Sequence, residues 1–160
     1  MQGLLNEVGE GSSKPYGYKK TVSNPKEPEW EFTTDSGVEY TVVIEKFKLK
    51  AAGDYLGGAG PVGQWDIQFY INPRSVGDRR AHSHNTVVDR GELYRVMATV
   101  VSVVKDEMKT GEPDVLSWAV RDPKRKALFN QYIRKAFPGG EIVSRVAGYG
   151  DEYMHIKLKP

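Results

Sequence analysis

The feature that most constrains this chain is a change of hydrophobic period that recurs along its C-terminal half. Trp65, Ile67, Phe69 and Ile71 alternate with Asp66, Gln68 and Tyr70, the two-residue period of a strand. Leu93, Val96, Met97, Val100, Val101, Val104 and Met108 then recur at three- and four-residue spacing and make one continuous helical face. Asp89 supplies an N-cap with Glu92 three residues on, and Gly111 and Pro113 stop the helix. Val115 to Val120 predicts a further strand, after which Asp122 and Pro123 open a second helix by the cap and first-turn proline rule. Its apolar positions are Leu128, Phe129, Tyr132, Ile133, Ala136 and Phe137, and Pro138, Gly139 and Gly140 end it. Glu141 to Ala147 and Glu152 to Leu158, joined through Gly148 to Asp151, close the chain as two strands. The order strand, helix, strand, helix, strand, strand predicts an α/β (α+β) domain with a mixed, mostly antiparallel central sheet flanked by two main helices.

Upstream, Trp30 to Thr33, the turn formers Asp35, Ser36 and Gly37, and then Val38 to Phe47 predict an antiparallel hairpin. Val38, Tyr40, Val42 and Ile44 share one face of its second strand and Thr41, Val43, Glu45 and Phe47 the other. Both faces are partly apolar, which predicts cover on both sides. Residues 1–28 mix Gly, Ser, Lys and Pro without either period and read as an extended N-terminal arm, with residues 29–160 as one domain. Tyr16 and Tyr18 lie in that arm. Two outcomes are open for them: anchors that dock on a partner, or a tail folded back on its own domain. Ala51 to Gln64 carries five glycines and reads as a loop, and Asn72 to Val88 is a long polar excursion holding Arg74, Arg79, Arg80, His82 and His84.

At 160 residues the chain is long enough for one domain with a real core and needs no staple. It contains no cysteine, which removes disulfides, thiolate nucleophiles and Cys-ligated zinc. No apolar run reaches the roughly 18 residues of a membrane span, and Met1 to Lys14 lacks the pattern of a secretory signal. The expectation is a soluble protein without a membrane partner. A net charge of +2 gives no strong global attraction to nucleic acid, so such binding requires a local patch.

The strand from Trp65 to Ile71, the helix from Asp89 to Lys109, the strand from Val115 to Val120 and the run Arg125, Lys126, Ala127, Leu128, Phe129 together resemble the GNAT superfamily of N-acyltransferases. The likeness spans about residues 38 to 159. Gly91 to Val100, Pro113 to Trp118 and Arg125 to Phe129 further resemble uncharacterised proteins encoded by tailed bacteriophages. The superfamily resemblance implies acetyl-CoA as cofactor, its pyrophosphate resting on backbone N–H groups at the first long helix's N-terminus. That assigns Asp89, Arg90, Gly91, Glu92 and Arg95 to the cofactor site, with Glu45, Asp66 or Tyr70 near the acceptor amine. The sequence departs from the pattern twice. Only Gly91 supplies a glycine, and Asp89 and Glu92 put carboxylates where a diphosphate would rest. Phe129 stands where many members carry the tyrosine that protonates the leaving thiolate, and Tyr132, three residues on, is the substitute.

These departures favour a non-catalytic binding or virion-associated phage protein on a degenerate GNAT-like scaffold, without a cofactor, in the host cytoplasm or the virion. An acetyl-CoA-dependent N-acetyltransferase is the alternative. A third option is nucleic-acid or anionic-surface binding through Arg121, Lys124, Arg125, Lys126, Arg134 and Lys135, joined by Arg74, Arg79 and Arg80. His82 and His84 lack a nearby third ligand, so no metal site is expected. No Gly-x-Ser-x-Gly, Walker-type or His-Glu-x-x-His motif is present.

Overall fold

The computed structural model describes residues 14–49, 62–72, 90–120, 122–146 and 152–158. Strands β1 (Tyr18–Val22), β2 (Glu29–Thr33), β3 (Glu39–Leu49) and β4 (Val62–Ile71) lead into helix α1 (Arg90–Glu107) and a short 3-10 turn (Met108–Thr110). Strand β5 (Val115–Trp118), helix α2 (Pro123–Ala136), β6 (Ile142–Val146) and β7 (Glu152–Lys157) follow. The strands form one seven-stranded sheet in the order β1-β2-β3-β4-β5-β7-β6. The fold class is therefore mixed α+β with a mostly antiparallel sheet. The one parallel pair among the described strands is β4–β5, and a parallel pair needs a crossover, which α1 provides.

The hairpin expected upstream is β2–β3. Trp30 pairs with Val42 and Phe32 with Tyr40, and all four side chains are buried. Gly37 takes φ 89° in the turn, a conformation that costs glycine little. Helix α1 buries Val96, Met97, Val100, Val103 and Val104 completely. At α2 the Asp122 carboxylate accepts from the Lys124 N–H at 3.0 Å and Pro123 follows in the first turn. This is the helix start that the Asp-Pro pair announced.

Both helices cover the same face of the sheet. The Phe129 ring of α2 meets Trp118 edge-on at 5.6 Å and Phe69 at 5.4 Å. From that same face Lys46 of β3 and Lys20 of β1 reach Glu107 at the end of α1. The core cluster follows this parity through Trp30, Phe32, Tyr40, Val42, Ile44, Trp65, Ile67, Leu116, Trp118 and Ile156. Among the described residues the helices lie on one side of β3 only, yet Thr41 and Val43 on the other side are buried as well, so the middle of the strand is covered on both faces as expected. The other face presents Thr41, Val43, Glu45 and Phe47 of β3 beside Asp66, Gln68 and Tyr70 of β4.

Residues 14–28, read from sequence as part of an arm, take part in the sheet. Tyr18–Val22 pairs antiparallel with β2. The Tyr16 ring stacks on Phe32 at 6.0 Å, and Phe32 in turn stacks on Tyr40 at 5.3 Å.

Candidate functional site

The start of α1 is where the resemblance to an acyltransferase would be tested, and two of the side chains assigned there, Glu92 and Arg95, are engaged by other parts of the chain. Glu92 is buried, 8% exposed. Its carboxylate accepts from the Ser36 N–H at 2.7 Å and the Ser36 hydroxyl at 2.8 Å, so it closes the turn between β2 and β3. A carboxylate in a capping box would instead reach back to the backbone of the helix's own N-cap. One turn further on, Arg95 donates from Nη1 to Asp35 Oδ2 at 2.8 Å and from Nε to the Lys14 carbonyl at 3.0 Å. Its guanidinium lies 3.8 Å from the centre of the Tyr16 ring, an attractive cation–π arrangement. The Tyr16 N–H donates to Thr99 Oγ1 at 2.8 Å, and burial raises the Tyr16 phenol above its ordinary value. Arg90 and Gly91 open the helix, while Asp89 lies outside the described residues. Glu92 and Arg95, assigned to cofactor phosphates by resemblance, are thus held by the hairpin turn and by residues 14–16.

Tyr18 docks on the same helix. Its hydroxyl meets the Asp106 carboxylate and lies 3.3 Å from the Ser102 carbonyl. Burial and the contact with Asp106 raise its phenol, and the same contact holds Asp106 low. These contacts realise one of the two outcomes left open for Tyr16 and Tyr18, packing of the segment on its own domain.

A polar row crosses the helix-free face. Glu45 pairs in register with Asp66, Asp66 with Ser117, and Ser117 with His155. The Ser117 hydroxyl donates to Asp66 Oδ1 at 3.0 Å and accepts from Gln64 Nε2 at 3.0 Å. Gln68 Nε2 donates to Glu45 Oε1 at 2.7 Å and to Asp66 Oδ2 at 3.2 Å. Burial pushes the Asp66 carboxyl above its usual range, hydrogen bonds from Gln68 and Ser117 offset part of that, and Glu45 adds to the rise. Ser117 and His155 are buried, at 1% and 4% exposed. Sequence reasoning missed both, because the pairing that brings them beside Asp66 is a matter of strand register.

Tyr70 lies on this face two pairs along, opposite Thr41. It is 39% exposed, and burial and the neighbouring Glu29 and Glu31 charges raise its phenol. Glu45, Asp66 and Tyr70 therefore share a face. Tyr132 is separated from them: it sits in the α2 core on the opposite side of the sheet. On the outer strands of the same helix-free face a groove of about 690 Å³ is lined by Lys19, Thr21, Glu31, Thr33 and Glu39.

The basic residues of α2 divide into two sets. Arg125 lies 3.7 Å from Asp122, and Lys126 pairs with Glu152. Lys124, Arg134 and Lys135 are exposed. Arg74, Arg79, Arg80, Arg121, His82 and His84 lie outside the described residues. Among the described residues no group of three or more His, Cys, Asp or Glu side chains could hold a metal ion, and no helix is long and apolar enough to cross a membrane. Compared with known proteins, the chain matches no family model, no curated protein and no solved structure.

Proposed function

We propose that this chain is a non-catalytic binding protein on a GNAT-like scaffold, serving protein assembly in a phage particle or among phage-encoded proteins. The observation that carries the reading is that Glu92 and Arg95 of α1 are held by Ser36, Asp35 and Lys14. Diphosphate binding at a helix N-terminus uses backbone N–H groups and a site free of competing anions. Here Glu92 brings a buried carboxylate into the first turn, and Arg95, one turn on, is already shared between Asp35 and Lys14. The order β4, α1, β5, α2, β6, β7 supports the resemblance in scaffold, and scaffold does not fix chemistry.

Isothermal titration with acetyl-CoA tests this directly. No saturable heat is expected at ligand concentrations up to about 1 mM, the weak end of specific affinity. Micromolar binding would overturn the reading.

A second reading is favoured by one observation. An N-acyltransferase needs a base for the acceptor amine, and a carboxyl raised by burial, as Asp66 is, is a stronger base than an ordinary one. On that reading Asp66 takes the proton, Gln68 ties it to Glu45, and Asp66→Asn slows acetyl transfer to an amine by about 10²- to 10⁴-fold.

A further inference from the structure

Residues 14–22 fill a groove between two elements. One wall is a stripe of α1, Arg95, Thr99, Ser102 and Asp106, whose four-, three- and four-residue spacing puts them on one side of the helix. The other wall is the edge of β2, which pairs with β1 from Glu29 to Phe32. Lys14 offers its carbonyl to Arg95, Tyr16 its N–H to Thr99, Tyr18 its hydroxyl to Ser102 and Asp106, and Lys20 its ammonium to Glu107. Each of these partners lies 81 to 88 residues along the chain.

The hold is mostly polar. Of residues 14–22 only Tyr16 is buried and Tyr18 half-buried, and the others are exposed. Without the segment, Val42, Ile44, Ile67, Leu116 and Ile156 still pack beneath the helices. A segment with so few buried apolar contacts opens at lower free energy than the core it covers.

The link to β2 is short. The Lys26 and Pro28 carbonyls accept from the Lys46 and Ile44 N–H groups at 2.9 and 3.2 Å, so those two residues belong with β3. Ser23, Asn24 and Pro25 decide whether the segment turns back on its own copy. The turn is closed by the Glu27 N–H on the Asn24 carbonyl at 3.1 Å and the Lys26 N–H on Asn24 Oδ1 at 3.0 Å. A straightened link gives up those two bonds, and Pro25 already biases Asn24 toward extended backbone.

We propose that residues 14–22 exchange between two copies of this chain, each copy's segment filling the groove of α1 and β2 in the other. The exchange is reciprocal, so it closes as a symmetric pair. Every groove contact is made as often in the pair as in two single chains, and the link sets the balance between them. This names the partner under the binding-protein reading and rests on it.

Light scattering on the full chain, incubated concentrated and warm and then cooled, supplies the test. A dimer is expected beside the monomer, its share rising with concentration. Asn24→Ala removes a bond that only the turned-back link makes, and should lower the dimer's dissociation constant by at least about fivefold. Thr99→Val loosens the groove in both forms alike and should speed conversion without moving that constant. Tyr18→Glu sets a carboxylate against Asp106, and Asp106→Lys supplies the opposite charge. Mixed, these two variants should pair one to one more readily than either does alone, because each segment meets a matching groove only in the other copy. Asp106 is exposed and Tyr18 half-buried, so neither change cuts into the centre of the core. A chain that stays monomeric, a dimer whose constant Asn24→Ala leaves alone, or a mixture that pairs no better than its parts overturns the exchange. Acetyl-CoA binding would overturn the binding-protein reading without touching this result, and a monomer that ignores acetyl-CoA would overturn the exchange alone.

Discussion

Burial alone would push the Glu107 carboxyl up, yet hydrogen bonds and charge from Lys46 and Lys20 outweigh it and hold the group below its usual range. The side chain is 5% exposed and lies 2.5 Å from Lys46 and 3.1 Å from Lys20, and each ammonium also rests over a tryptophan, Trp65 or Trp30. A depressed carboxyl pKa contributes stability that is present above the unfolded value and lost as pH falls through the folded one. Unfolding free energy should therefore decline below about pH 4.5, and Glu107→Gln should flatten that decline while costing about 1–3 kcal/mol at neutral pH. Urea melts at stepped pH check both. Asp66 has the opposite sign: its raised carboxyl works against stability as it ionises, so a carbon-13 titration should place its midpoint above 3.8 while that of Glu107 falls below 4.5. None of the Glu107 arrangement is legible locally, because its partners stand 87 and 61 residues away. Glu92 misleads for the same reason. Its place near a helix start is plain in the sequence, but its ligand, Ser36, lies 56 residues upstream.

Elements whose signals are local were readable. Asp122 and Pro123 announce the start of α2, and Asp122→Ala should lower stability by about 1 kcal/mol in a thermal melt, the usual worth of an N-cap. The same helix holds a polar contact that periodicity hides. Asn130 is buried and accepts from Trp118 Nε1 at 2.9 Å. Asn130→Ala leaves a buried donor unsatisfied and should cost about 1–3 kcal/mol, with the Trp118 fluorescence shifting as its partner is lost. Strand β1 escaped the reading because it is an edge: after half-buried Tyr18 its remaining residues are all exposed, so no alternation marks it. Its position comes instead from Tyr16 and Tyr18 contacts to α1. The polar row on the helix-free face was half legible. Asp66 and Glu45 stood out as carboxylates within strands, while Ser117 and His155 joined them only through register.

At the level of the whole molecule, a net charge of +2 conceals two layers of opposite character. Exposed cations on α2 occupy the helix layer, while on the other face of β2–β4 Glu29, Glu39, Glu45 and Asp66 have no cation partner among the described residues. Composition reports the sum and only the fold reports the separation. The N-terminal strand is part of this body: removing the chain through Val22 strips β1 and the Tyr16 ring from Phe32. That truncation should lower the melting temperature by about 5–10 °C and expose a new sheet edge prone to pairing.

In the first two turns of α1, Glu92 and Arg95 are held by Ser36, Asp35 and Lys14. A two-dimensional amide NMR titration with acetyl-CoA reads those positions one by one. The amide signals of Ser36, Glu92 and Arg95 should stay in place up to about 1 mM ligand. Saturable shifts at those three residues in the micromolar range would contradict the account.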